Sequence, residues 1–162
     1  MINYFDVYGL LALDSVTTAI QACLKSAPPA AITCLEQLLT TVAEDAQANL
    51  IRNALDALKS RMMRCARMYA GISPLCKTPG CGDDGLSPAE YVRRAGFATA
   101  CAGVRAQWLR ECACKGLMDG IGGAAFWETH WLEVGKAVAK ATNCWHKAKK
   151  AGWGGNVPEV NP

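Results

Sequence analysis

The sequence predicts an all-α protein, a compact helical bundle of about five to six helices around an irregular Cys-, Gly- and Pro-rich central loop. Three observations carry this. Apolar residues recur at spacings of three and four through most of the chain, which is the period of one helical face. No stretch of useful length alternates apolar and polar residues as a half-buried strand would. The punctuation is of the kind that starts and stops helices: Pro28-Pro29, Ser87-Pro88, Gly120 to Gly123, and a Gly- and Pro-containing end.

Taken in order, residues 11–26 form the first amphipathic stretch, with Leu13, Val16, Ile20, Cys23 and Leu24 on one face. Ala27-Pro28-Pro29 ends it, because proline lacks a backbone donor and restricts the residue before it. A second run from Pro29 to about Lys59 keeps the same period, and Glu44, Asp45 and Asn49 interrupt its stripe, which predicts a break near 43–49. Helix continues through Arg61 to Tyr69, and a loop is expected from Gly71 to Pro88. Ser87-Pro88-Ala89-Glu90 starts the next helix, with Ser87 as N-cap, Pro88 at the first helical position and Glu90 three residues after the cap. That helix should reach Lys115 and stop at Gly116. After a turn at Gly120–Gly123, a last helix covers 124–150, and the glycines and prolines beyond predict a frayed end, with 156–162 a flexible tail.

Hydrophobic residues make up 51% of the chain and charged residues 19%, which excludes a disordered segment or a polyelectrolyte. Seven Lys/Arg stand against eight Asp/Glu through Leu86, and ten against six from Ser87 on. The surplus gathers in Lys136, Lys140, Lys147, Lys149 and Lys150, read as a solvated helix face or, more sharply, as a strip facing phosphate or lipid headgroups. No basic segment followed by an apolar run marks a signal peptide, and no uninterrupted apolar stretch reaches the ~18 residues of a spanning helix.

Nine cysteines are too many to pass over, and their odd number rules out complete internal pairing. They fit disulfides, thiolate ligands or small buried apolar groups. Cys76, Cys81, Cys112 and Cys114 form one constellation, as two disulfides stapling the central loop to a helix end or as four zinc ligands. A C-x-C on a helix spreads its sulfurs by about 200°, so disulfides are the preferred reading and no metal is assigned. Gly82-Asp83-Asp84-Gly85 lacks the ligands of a calcium loop and reads as a turn.

The opening segment adds a different kind of information. Asn3-Tyr4-Phe5-Asp6-Val7-Tyr8-Gly9-Leu10 resembles the N-x-x-D-P-x-G-L stretch that ends the repeat-built shell of rearrangement-hotspot (Rhs, or YD-repeat) proteins, matching at Asn3, Asp6, Gly9 and Leu10. Val7 stands where the family usually has proline. In that family the shell cuts itself after the motif's leucine, using aspartates. The resemblance therefore implies a cut between Leu10 and Leu11, a role in it for Asp6, and a remnant of residues 1–10 ahead of a toxin domain over 11–155. It also implies an antibacterial effector delivered into a recipient cell, often by type VI secretion, and a cognate immunity protein as partner alongside the parent shell.

The motif is silent on chemistry. His130 and Glu133, three apart on one helix face, are an acid–base candidate pair. His146 sits sixteen residues after His130, rotated by roughly 160° on an unbroken helix. Together with Lys147, Lys149 and Lys150 it supplies the parts of a nuclease site, with Arg105 or Arg110 available from the preceding helix to stabilise phosphorane charge. The leading expectation is an enzyme attacking nucleic acid, with catalytic candidates His130, Glu133, His146 and Lys147 and no cofactor. The alternatives are a membrane-disrupting or pore-forming toxin, from the amphipathic first sixty residues, and a periplasmic cell-wall or lipid hydrolase, which the cysteines would suit.

Overall fold

The computed structural model describes residues 4–82, 84–113 and 124–162. Among them the fold is all-α: five helices, α1 (Tyr4–Leu24), α2 (Pro28–Thr41), α3 (Asp45–Cys76), α4 (Pro88–Trp108) and α5 (Ala124–Lys150), with a π-helical turn over Leu109–Ala113 and no strand. The described residues gather into two compact units, one through Arg64 and one from Cys65 onward, with the boundary inside α3.

The first unit holds α1, α2 and the start of α3. Pro28 stands at the first position of α2, where its missing donor is not needed, and Cys23 is bonded to Cys34 across the turn. Val16, Cys23, Ala31 and Leu35 are buried on the facing sides of this hairpin, and Ile51, Leu55 and Leu58 form the buried stripe of α3. The expected interruption falls at residues 42–44, between α2 and α3. α1 begins at Tyr4 and not at Leu11, so its backbone runs helically through Asp6, Gly9 and Leu10. Val7, unlike the proline usual there, keeps its backbone donor in the first turns of this helix.

The second unit is built on α4 and α5. Ala95, Ala98, Ala102 and Ala106 make a buried row on α4, and Ala137, Ala141, Cys144 and Ala148 make the matching row on α5. Side chains this small let two helices lie close, so the seam is dry without large aliphatics. Ser87 caps α4 by accepting from the Glu90 amide at 3.2 Å. The Glu90 carboxylate takes Arg93 and Arg94, and the two guanidiniums hold its pKa down at about 2.

Two sequence expectations change here. α3 does not stop at Gly71 but continues through Pro74 to Cys76. Ile72 is buried and Cys76 is bonded to Cys101 on α4, so packing and a covalent bond hold the turn that Gly71 and Pro74 disfavour. The chain end is packed at two points, Trp153 and Val160. Trp153 donates its amide to Ala148 and Gly152 donates to Lys149, a Schellman stop with Gly152 at φ 96°. The turn lays Trp153 against Trp145, ring centroids 5.1 Å apart, and Val160 packs on the same core cluster. The predicted stop at Gly116 and turn at Gly120–Gly123 lie outside the described residues.

The central loop, described over residues 77–82 and 84–87, is irregular but tightly tied. One face of α5 holds it: Lys140 donates to the Thr78 carbonyl at 2.8 Å, Asn143 to Cys81 at 3.5 Å, and Lys147 to Gly82 at 3.0 Å and to Asp84 at 2.8 Å. Cys144, on that same face, is bonded to Cys81. From α4, Arg94 donates to the Gly80 carbonyl at 2.7 Å. Lys140 and Lys147 therefore face the protein's own loop, contrary to the sequence reading of a free basic strip.

Candidate functional site

The cysteine constellation resolves into a different pattern from the one expected. Cys76, Cys81 and Cys112 are all in disulfides, with Cys101, Cys144 and Cys65 respectively, and not with one another. Cys114 lies outside the described residues. The preferred disulfide reading holds for these three cysteines, but the pairing among them does not, because cysteine spacing cannot say which sulfurs a helical seam brings face to face. Among the described residues no group of three or more His, Cys, Asp or Glu side chains is placed to hold a metal.

Two of these bonds frame a cavity in the second unit. Cys65–Cys112 and Cys76–Cys101 join α3 to the π-helical turn and to α4, and Tyr69 to Ser73 lie on α3 between them. Here a cavity of about 390 Å³ opens, lined on the α3 side by Tyr69, Ile72, Ser73 and Lys77, and beyond it by Arg105 of α4 and by His130 and Glu133 of α5.

Each side chain has a local reason for its place. His130 and Glu133 share a face of α5 because they are three residues apart. Arg105 sits one turn before Trp108 on α4, in the alanine-rich stretch, where small neighbours leave room for a long side chain. Its side chain is only 13% exposed, and Nη1 lies 3.7 Å from Glu133 Oε2. Lys136 holds the other oxygen of Glu133 at 2.6 Å, and chiefly this bond keeps the carboxyl below its usual pKa and so ionised.

His130 is set in an aromatic wall. Its ring centroid is 4.5 Å from Phe126, 4.8 Å from Trp108 and 6.4 Å from Tyr69. Trp108 is fully buried and in turn lies 5.0 Å from Tyr69 and 5.9 Å from Trp127. Burial in this wall, and next the positive charge of Arg105, push the His130 pKa below its ordinary 6.5, with Glu133 offsetting part of the shift. The imidazole is therefore neutral near neutral pH, the form that accepts a proton.

Three buried nitrogens in this region, His130 Nδ1, Arg105 Nε and Trp108 Nε1, have no hydrogen-bond partner among the described residues. Buried polar atoms are nearly always satisfied, so three together single out this part of the fold. Sequence reasoning found His130 and Glu133 and held Arg105 in reserve, but it missed Tyr69, Lys77 and Trp108. Trp108 carries a readable signal, a large aromatic closing an alanine-rich helix; Tyr69 and Lys77 carry none.

His146 and Lys147 do not join this site. α5 is unbroken, so sixteen residues place His146 about 24 Å farther along the axis. Lys147 is engaged by Gly82 and Asp84, and Lys149 lies 5.5 Å from the ring centroid of Trp153. Comparisons of this chain with models of known families, with characterised proteins and with solved structures gave no match.

Proposed function

We propose that this chain is the toxin domain of an Rhs-type effector and that its cavity at His130 cleaves phosphodiester bonds of nucleic acid in a recipient cell. The single observation that carries the chemistry is the grouping of a neutral imidazole, an ionised carboxylate and a largely buried guanidinium around one cavity. His130 accepts the proton of an attacking hydroxyl or water as its oxygen bonds to phosphorus. Arg105 offsets the charge gathering on the phosphoryl oxygens, and the bond to the leaving oxygen breaks, that oxygen taking a proton from solvent. Glu133 positions Arg105 and keeps the site's charge balanced. The motif ending at Leu10 supports the parentage, with release after Leu10 through Asp6, delivery by a secretion system and neutralisation by a cognate immunity protein as parts of the same proposal.

A second reading is favoured by the four disulfides, which persist in oxidising compartments: a hydrolase of lipid or cell-wall phosphoesters acting outside the cytoplasm, through the same residues. No described helix is long and apolar enough to cross a membrane, and the pore-forming alternative rests on the amphipathic first sixty residues alone. One experiment separates these readings. The chain and its His130→Ala variant are expressed inducibly in a bacterium, in the cytosol and directed to the periplasm, while RNA, DNA and membrane potential are followed. Degraded nucleic acid with wild type only is the expected result. Toxicity confined to periplasmic expression with intact nucleic acid favours the second reading, and prompt depolarisation with intact nucleic acid overturns both.

A further inference from the structure

We infer that the cavity selects a single unpaired nucleotide, its base stacked on Tyr69 and its phosphate held by Arg105 and Lys77. The inference rests on the phosphodiesterase reading and narrows its substrate to single-stranded nucleic acid. The first support is the position of Tyr69. It lines the same cavity as His130 and Arg105, and the residue is 40% exposed although Trp108 lies against its ring at 5.0 Å. A large aromatic kept exposed at the edge of a polar cavity, and backed by a second ring, is a platform onto which another flat group can stack.

Charge is the second support. Arg105 and Lys77 are cationic and His130 is neutral, while the one carboxylate among the lining residues, Glu133, is already met by Lys136 and Arg105. The lining is thus net positive and suits an anionic ligand.

Size and geometry exclude the duplex. A cavity of about 390 Å³ is at the small end for organic ligands and takes one nucleotide, not a base pair with its backbones. Inside a duplex both faces of a base are covered by neighbours, so no face is free for Tyr69 unless the base is extruded. An unpaired base offers its face at no such cost.

The test uses the purified, oxidised full chain and three probes: inorganic phosphate, a nucleoside 5′-monophosphate, and a short oligonucleotide as single strand or duplex. Binding is followed by calorimetry and by tryptophan fluorescence, which Trp108 behind Tyr69 reports. The mononucleotide is expected to bind roughly 5- to 150-fold more tightly than phosphate, the range of one base–aromatic stack. Tyr69→Ala should lose that margin with phosphate affinity unchanged, and Tyr69→Phe should keep it, which separates stacking from misfolding. The single strand should outcompete the duplex. Equal affinity for phosphate and mononucleotide, or a margin that survives Tyr69→Ala, overturns the inference while leaving a phosphoester-cleaving site intact. Binding of the single-stranded oligonucleotide without its cleavage supports the inference and sinks the enzymatic reading instead.

Discussion

The two ends of α5 carry the same ingredients and use them in opposite ways. Each has a histidine, a tryptophan beside it and lysines within a turn or two. Around His146 the side chains have structural duties: Lys147 holds the central loop, Lys149 lies over Trp153, and Cys144 is bonded to Cys81. Around His130 the nitrogens of His130, Arg105 and Trp108 are buried beside a cavity without partners among the described residues. A fold uses polar groups to hold itself together wherever it can, and groups left buried and unmatched among the described residues are the exception.

The sharpest way to break this comparison is to delete each histidine in turn. His130→Ala should lower activity by roughly 10²- to 10⁴-fold, the usual worth of a positioned general base, with little change in folding. His146→Ala should leave the rate within about twofold, since it is exposed and roughly 24 Å away along the helix. Single-turnover rates on a nucleic-acid substrate check both. Equal losses would show that the two ends form one site and that the unbroken α5 misleads.

The next effect belongs to the His146 end and concerns stability. Cys81–Cys144 closes a separation of 63 residues, so replacing both cysteines by alanine should cost roughly 4 kcal/mol on chain-entropy grounds. Denaturant unfolding of the double variant measures it. The comparison predicts that whatever variant remains folded at low temperature retains its activity, because the bond lies outside the His130 cavity. Cys76 and Cys101 should behave differently: their bond lies in the cavity wall, so its removal should reduce activity as well as stability.

A smaller effect is read from pH. The folded pKa of His130 lies below 6.5 because burial and Arg105 disfavour the imidazolium. The active neutral form is then complete above the unfolded value and is lost as pH falls through the lower folded value, so the acid limb of the rate should lie below 6.5. The unfolded chain binds the proton more readily, so stability also declines as pH falls through this window. Arg105→Gln removes the second cause and should move the acid limb upward, toward 6.5. A limb at or above 6.5 in the wild type would falsify the assignment of His130 as the base.

Much of the fold was legible in the sequence, and less of the site. The helical class, the break after Thr41, the cap at Ser87 and the long last helix follow from spacing and punctuation, which act locally. The extension of α3 through Pro74 was not legible, because Ile72 burial and the Cys76–Cys101 bond decide it from afar. The extension of α1 back to Tyr4 is compatible with Val7, which keeps the backbone donor that proline lacks, but nothing in the local spacing requires it. In the site, His130 and Glu133 were readable as a pair on one helix. Arg105 and Tyr69 reach them only through α4 and α3 packing, which no one-dimensional spacing records. The basic strip was misread for the same reason: Lys140 and Lys147 meet loop carbonyls distant in sequence.

The smallest expected effect tests whether the His146 end is purely structural. Trp153 stacks on Trp145 at 5.1 Å, and the Schellman turn at Gly152 exists to bring it there. Trp153→Leu keeps an apolar group but removes the ring pair, and should cost about 1 kcal/mol, the contribution of one aromatic pair beyond its buried area. A chain of this size would then melt about 2–4 °C lower. Activity at the His130 cavity should be unchanged, and so should the tenability of the distinction between the two ends. A fall in rate out of proportion to the loss of stability would mean that the tail, through Trp145 and the alanine seam, sets the position of α5 against α4, and with it the distance between Glu133 and Arg105.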